Sequence, residues 1–136
     1  MIKLFLIISL IILSGCREEI LEPYNPAGNV NQPYQEKKLN YFNLVMTASN
    51  LTYEIDSDLN FNSSDSRIFV SVVDKQSGTI TINILNDRRN LIYIASIETE
   101  VPGLVDRIQG NIPNKVKIIF KDFSGKVRIQ ISKNAS

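Results

Sequence analysis

A single thiol, no imidazole and two clusters of opposite charge make up the reactive chemistry of this 136-residue chain. Without His, the usual general base near neutral pH and the commonest transition-metal ligand are both missing. Cys16 is the only cysteine, so no intrachain disulfide is available and the fold has to rest on an apolar core. The segment Asp56-Ser57-Asp58-Leu59-Asn60 begins like a calcium loop, in which alternate oxygen-bearing side chains converge on a hard cation. It then departs from that pattern, with Phe61 where the sharp turn needs glycine and Arg67 where a bidentate glutamate closes the site. A solvated acidic loop is the reading that follows. Lys115, Lys117, Lys121, Lys126 and Arg128 fall on the wet side of an alternating pattern. There they either blunt an exposed sheet against aggregation or form a patch for lipid phosphates or an acidic partner. The acidic and basic groups lie far apart along the chain, so overall neutrality hides two expected poles. Carboxylate, lysine and tyrosine chemistry has no spacing that pairs such groups in a pocket. No catalytic residue, no metal, no cofactor and no small-molecule substrate are therefore expected.

The elements that carry these residues are bounded by composition. Lys and Arg number 15 against 14 Asp and Glu, a balance unlike that of a general nucleic-acid binder, whose affinity rests on excess cations against phosphate. Hydrophobic residues make up 43% of the chain, enough for one modest core and no second domain.

The N-terminus carries the sharpest local signal. Lys3 supplies a positive start, residues 4–13 an almost unbroken apolar run, and Ser14 and Gly15 two small residues before Cys16. The run is roughly ten residues, about half of what a membrane-crossing helix needs. The sequence Leu13-Ser14-Gly15-Cys16 resembles the lipobox of bacterial lipoproteins. That resemblance implies cleavage before Cys16, acylation of its thiol and new amino terminus, and insertion of the acyl chains into membrane lipid. Arg17 rather than Asp follows, which in that family's sorting logic implies the outer membrane. Residues 1–15 thus read as a signal peptide and 16–40 as the lipidated cysteine and a flexible tether, extended by Pro23, Pro26 and Pro33. Residues 41–136 read as the folded domain.

Within that domain the hydrophobic period is two, which marks strands with one buried face. Phe42, Leu44 and Met46 alternate inward, as do Ile68, Val70 and Val72, then Ile80, Ile82 and Ile84. Val116, Ile118 and Phe120, followed by Val127, Ile129 and Ile131, complete the expected core. Residues 91–97 are apolar on both faces, as in a central strand. Residues 74–78, 86–90 and 122–125 carry hairpin-turn chemistry. Leu104, Val105 and Ile108 share a helical face before Gly110, so one short helical turn is expected there. Short strands with closely spaced turns point to an all-β fold, an antiparallel two-sheet β-sandwich.

The stretch 49–66 exceeds an ordinary connection. Its apolar residues Leu51, Tyr53, Ile55, Leu59 and Phe61 read either as an extra edge strand or as a ridge offered to a partner.

The strand series as a whole resembles the TssJ family, the outer-membrane lipoproteins of type VI secretion systems. The likeness rests on Thr47-Ala48-Ser49, the loop with Asp58-Leu59-Asn60, the strand RIFVSVVDK, LIYIAS at 91–96 and the final KVKIIFKDFSGKVRIQI. It departs where a tight turn at 75–78 replaces that family's helical insertion. The resemblance implies a transthyretin-like sandwich on the periplasmic face of the outer membrane. It also implies that 50–66 binds the periplasmic domain of an inner-membrane secretion protein. A surface-exposed lipoprotein that binds a host or environmental ligand is the alternative, given some support by the charged Arg17-Glu18-Glu19 after the cysteine.

Overall fold

The computed structural model describes residues 30–135. Six strands, β1 (Tyr34–Lys38), β2 (Tyr41–Asp58), β3 (Asp65–Leu85), β4 (Leu91–Ile97), β5 (Val101–Gln109) and β6 (Lys115–Lys133), form one antiparallel sheet. Its order is β1-β2-β6-β3-β4, and β5 pairs with the other half of the β3 edge that holds β4. No helix occurs among the described residues.

Three long strands, β2, β6 and β3, make the body of the sheet, and each changes direction in its middle. Register shifts fall between Ala48 and Tyr53 on β2 and between Val73 and Thr79 on β3, opposite residues 120–126 of β6. Asn50, Asp74 and Asp122 adopt positive φ there, as short polar side chains tolerate. Asp122 sits at the centre of the seam. Its backbone N–H donates to Thr52 Oγ1 at 3.0 Å, and its carbonyl accepts from Ser77 Oγ at 2.9 Å. Asn50 N–H reaches Ser124 Oγ at 2.8 Å. Gly78, with φ of 79°, passes so close to β6 that a Cβ would stand 2.2 Å from the Asp122 carbonyl oxygen.

The strand ends record how far the sheet turns. An extended strand the length of β2 spans about 60 Å, yet Asn40 N–H, just before it, bonds the carbonyl of Asn60, just after it, at 2.7 Å. Leu59 N–H reaches Asn114 O at 2.7 Å, and Lys133 N–H reaches Asn40 O at 3.1 Å, so both ends of β6 arrive at the same place. The sheet is bent back on itself along the seam. Its concave face holds the core.

The expected core residues are all there. Phe42, Leu44, Ile68, Val70, Val72, Ile80, Ile82, Ile84, Val116, Ile118, Phe120, Ile129 and Ile131 have no exposed surface, and Met46 and Val127 have almost none. Phe123 joins them at the seam, its ring 5.7 Å from that of Phe120. On β2 the buried positions change from even (Phe42 to Ala48) to odd (Ile55, Ser57, and Leu59 just beyond it), and on β6 from even to odd after Phe120. One extra residue at each bend keeps the same face inward, which is what a bulge does.

Several expectations change. Residues 74–78 and 122–125 are bends inside β3 and β6, not hairpin turns, because the neighbouring strands bend in register and the ladders resume beyond them. Only 86–90 of the three reverses the chain, between β3 and β4. The helical turn at Leu104–Ile108 is instead β5: backbone pairing with β3, from Asp65↔Gln109 to Val72↔Val101, overrides the local helical spacing. Residues 91–97 form an edge strand rather than a central one. The tether shortens too, since Tyr34–Lys38 pairs with β2 through its backbone, which needs no apolar alternation. The acidic stretch 56–58 lies on β2 and not in a loop. Cys16 and the signal and tether residues before Val30 lie outside the described residues.

Candidate interaction surface

Because the sheet doubles over, four of the five connections between strands gather at the end away from the seam, and only 98–100 lies beside it. The turn 39–40 and the loops 59–64, 86–90 and 110–114 are laced to one another there. Asn40 and Asn62 exchange bonds, the Asn40 amide nitrogen donating to Asn62 Oδ1 at 2.7 Å and Asn62 N–H to Asn40 Oδ1 at 2.9 Å. Gly110, with φ of 82°, donates its N–H to Ser64 O at 2.9 Å, and Asn114 N–H bonds Leu85 O at 2.8 Å. In the 86–90 turn, Asn86 Oδ1 accepts from the N–H groups of Arg88 at 3.0 Å and Asn90 at 2.9 Å, an Asx arrangement that turns Arg88 and Arg89 outward. Between these loops lies an open cleft of about 620 Å³ whose lining includes Phe61, Arg88, Asn90 and Ile112. Leu39 and Ile112 are exposed on the same end, 58% and 44% respectively.

The five residues read from sequence as a partner-binding ridge do not share one surface. Ile55 and Leu59 are buried in the core, and Leu51 and Phe61 pack against it half-buried. Tyr53 alone is well exposed, beside the seam. Phe61 lies at the loop end, about 26 Å along the strand from it. Leu39 and Ile112 were missed by sequence reading. Their only signal was an apolar side chain among Asn and Pro in short connections.

The two expected charge poles meet. Asp56 and Asp58 stand opposite Lys117 and Lys115 in the β2–β6 register. Lys115 Nζ lies 3.3 Å from Asp56 and 3.7 Å from Asp58, and Lys117 Nζ lies 3.8 Å from Asp56. Lys126 pairs with Asp74 at 3.2 Å. The carboxylates that opened like a calcium loop are thus engaged by lysines on the convex face.

Two further polar links hold the open end. Arg107 grips Asp65 with two bonds, at 2.9 and 2.8 Å, and Asn134 adds a third at 2.8 Å, which together lower the Asp65 carboxyl to about 2. Tyr93 on β4 donates its hydroxyl to Asp106 on β5 at 2.7 Å. Burial first, and then the neighbouring carboxylate, push the Tyr93 phenol above its ordinary range. The sequence matches no family model, and no curated protein is similar to it at a significant level.

Proposed function

We propose that the chain is a non-catalytic, lipid-anchored docking protein of the cell envelope, held in the outer membrane through acylated Cys16 and meeting its partner with the loop end. One observation carries this reading, the polarity of the domain. Val30 bridges Thr47, and Asn31 exchanges bonds with Ser49 beside the seam. The loops lie at the other end of the strands, about 20 Å further on. A lipid at Cys16 therefore tethers the seam end and presents the loops away from the bilayer.

In its finer form the proposal follows the type VI secretion resemblance. The doubled sheet serves as a transthyretin-like two-sheet sandwich, and the partner is the periplasmic domain of an inner-membrane secretion component. The contact is carried by Phe61 with Leu39 and Ile112, not by a ridge from Leu51 to Phe61. Labelled palmitate should enter the full chain and be lost from Cys16→Ser. Ile112→Glu and Leu39→Glu should abolish co-purification with an inner-membrane protein from crosslinked envelopes, whereas Tyr53→Glu should retain it. The reverse pattern would reject the loop end, and absence of label would reject the anchor. Protease shaving of intact cells that removed the domain would reject a periplasmic location.

A further inference from the structure

The described part of the sheet has edges of two kinds. The outer edge of the second half of β2 carries Glu54, Asp56 and Asp58; β1 carries Glu36, Lys37 and Lys38; and β5 carries Pro102, Asp106 and Arg107. Charges and proline at an edge obstruct pairing with another chain. β4, with the sequence LIYIASI, has none, and its far side meets no strand among the described residues. Ile94 is 61% exposed and Leu91 53% exposed on it. An uncharged, unpaired strand edge is a template for strand addition, and natural sheets normally guard against it.

We propose that two copies of the chain pair through β4, antiparallel, about a twofold axis at Ile94. The strand is complementary to itself in that register. Tyr93 meets Ala95 of the second copy, and Ile94 meets Ile94. Tyr93 thus opposes a small residue, and Ile94, at the centre, meets its own kind. The period of two is respected over 93–97, since Tyr93, Ala95 and Ile97 stand opposite the buried Ile84, Ile82 and Ile80 of β3 while Ile94 and Ser96 belong to the convex face; a register shift at Ile92, which packs on the core, precedes it. No charge is left facing an apolar neighbour, whereas a charged partner strand finds no counter-charge on this edge. The bond from Tyr93 to Asp106 ties β4 to β5, so the edge is held in place before the second copy arrives. Closed twofold symmetry uses up both edges and prevents further addition.

A residue on the twofold axis is its own neighbour, which gives a direct test. Paired strands bring facing Cβ atoms to about 4.5–5.5 Å and Cα atoms within disulfide range. Full-length Ile94→Cys, expressed in its own envelope and run without reductant, should migrate mainly at twice the chain mass. Mass spectrometry should find a disulfide between the two introduced thiols. The wild-type chain controls for Cys16, and Val105→Cys for exposure, since Val105 is 60% exposed on the β5 edge; both should give at least tenfold less dimer. Sedimentation of the detergent-solubilised full chain should find a dimer that Ile94→Lys converts to monomer with an unchanged far-ultraviolet spectrum. A monomeric wild-type chain, equal crosslinking at Val105→Cys, or capture of a different protein by Ile94→Cys would each overturn the proposal.

Discussion

The bend at Gly78 makes a quantitative prediction because a second glycine supplies its control. Gly78 and Gly110 share the left-handed conformation, with φ of 79° and 82°, but a Cβ on Gly110 meets nothing within 4 Å. Alanine at either position incurs the left-handed penalty of about 1–2 kcal/mol. At Gly78 it also collides with the backbone of Asp122 at 2.2 Å, and backbone cannot swing aside as a flexible side chain does. β3 and β6 would have to part by roughly an ångström where Ser77 opposes Ser124 and Thr79 opposes Lys121. Two ladder bonds weakened there, at about 1 kcal/mol each, bring the expected loss for Gly78→Ala to about 3–4 kcal/mol. The expected loss for Gly110→Ala is the left-handed penalty alone, about 1–2 kcal/mol. Against a typical total of about 5–15 kcal/mol the first is a severe lesion. Urea denaturation should lower the Gly78→Ala midpoint by about 2 M at an m-value near 1.5 kcal/mol/M. Equal losses for the two variants would refute the idea that close approach of two bent backbones, rather than left-handed strain alone, holds the seam.

Other consequences follow from the same geometry. Phe120 has no exposed surface and packs on Phe123, so Phe120→Ala should cost about 3–5 kcal/mol in the same urea titration. Asn62→Ala removes the bond from Asn40 Nδ2 and leaves the one from its own backbone N–H to Asn40 Oδ1, so it should cost about 1 kcal/mol while speeding amide exchange across residues 59–64. Acid should loosen the open end. Asp65 has a lowered folded-state value of about 2, so its stabilising contribution is complete above the unfolded value near 4 and disappears as pH falls through 2. Melting temperatures measured from pH 6 to 2 should fall at the acid end for the wild-type chain and less for Arg107→Gln.

Alternation made the core legible from sequence, because burial on one face of a strand leaves a period of two whatever the strand pairs with. Ile80, Ile82 and Ile84 needed no tertiary information. The bends were hidden for the opposite reason. Residues 74–78 and 86–90 each open on Asp or Asn and each contain a residue of positive φ, Asp74 and Arg89, yet one redirects a strand and the other reverses the chain. What separates them is that β2, β3 and β6 bend at matching register, a relation among three distant segments.

The candidate contact was misread through a signal that was itself present. Leu51, Tyr53, Ile55, Leu59 and Phe61 all occupy odd positions, the same period of two that marks a strand facing a core. That pattern argued for burial and against a ridge. Tyr53 escapes burial because it sits just past the register shift, where the face is turning. By the same logic, the residues free to meet a partner are apolar ones that no buried face requires. Leu39 and Ile112 lie in connections, and Ile94 lies on the convex side of an edge strand that the double-sided apolar pattern had placed at the centre. An apolar pattern on both faces reports cover above and below a sheet, whereas neighbours within the sheet are met by the backbone edges. β4 finds β3 on one side, and pairing with a second copy would supply the neighbour on the other.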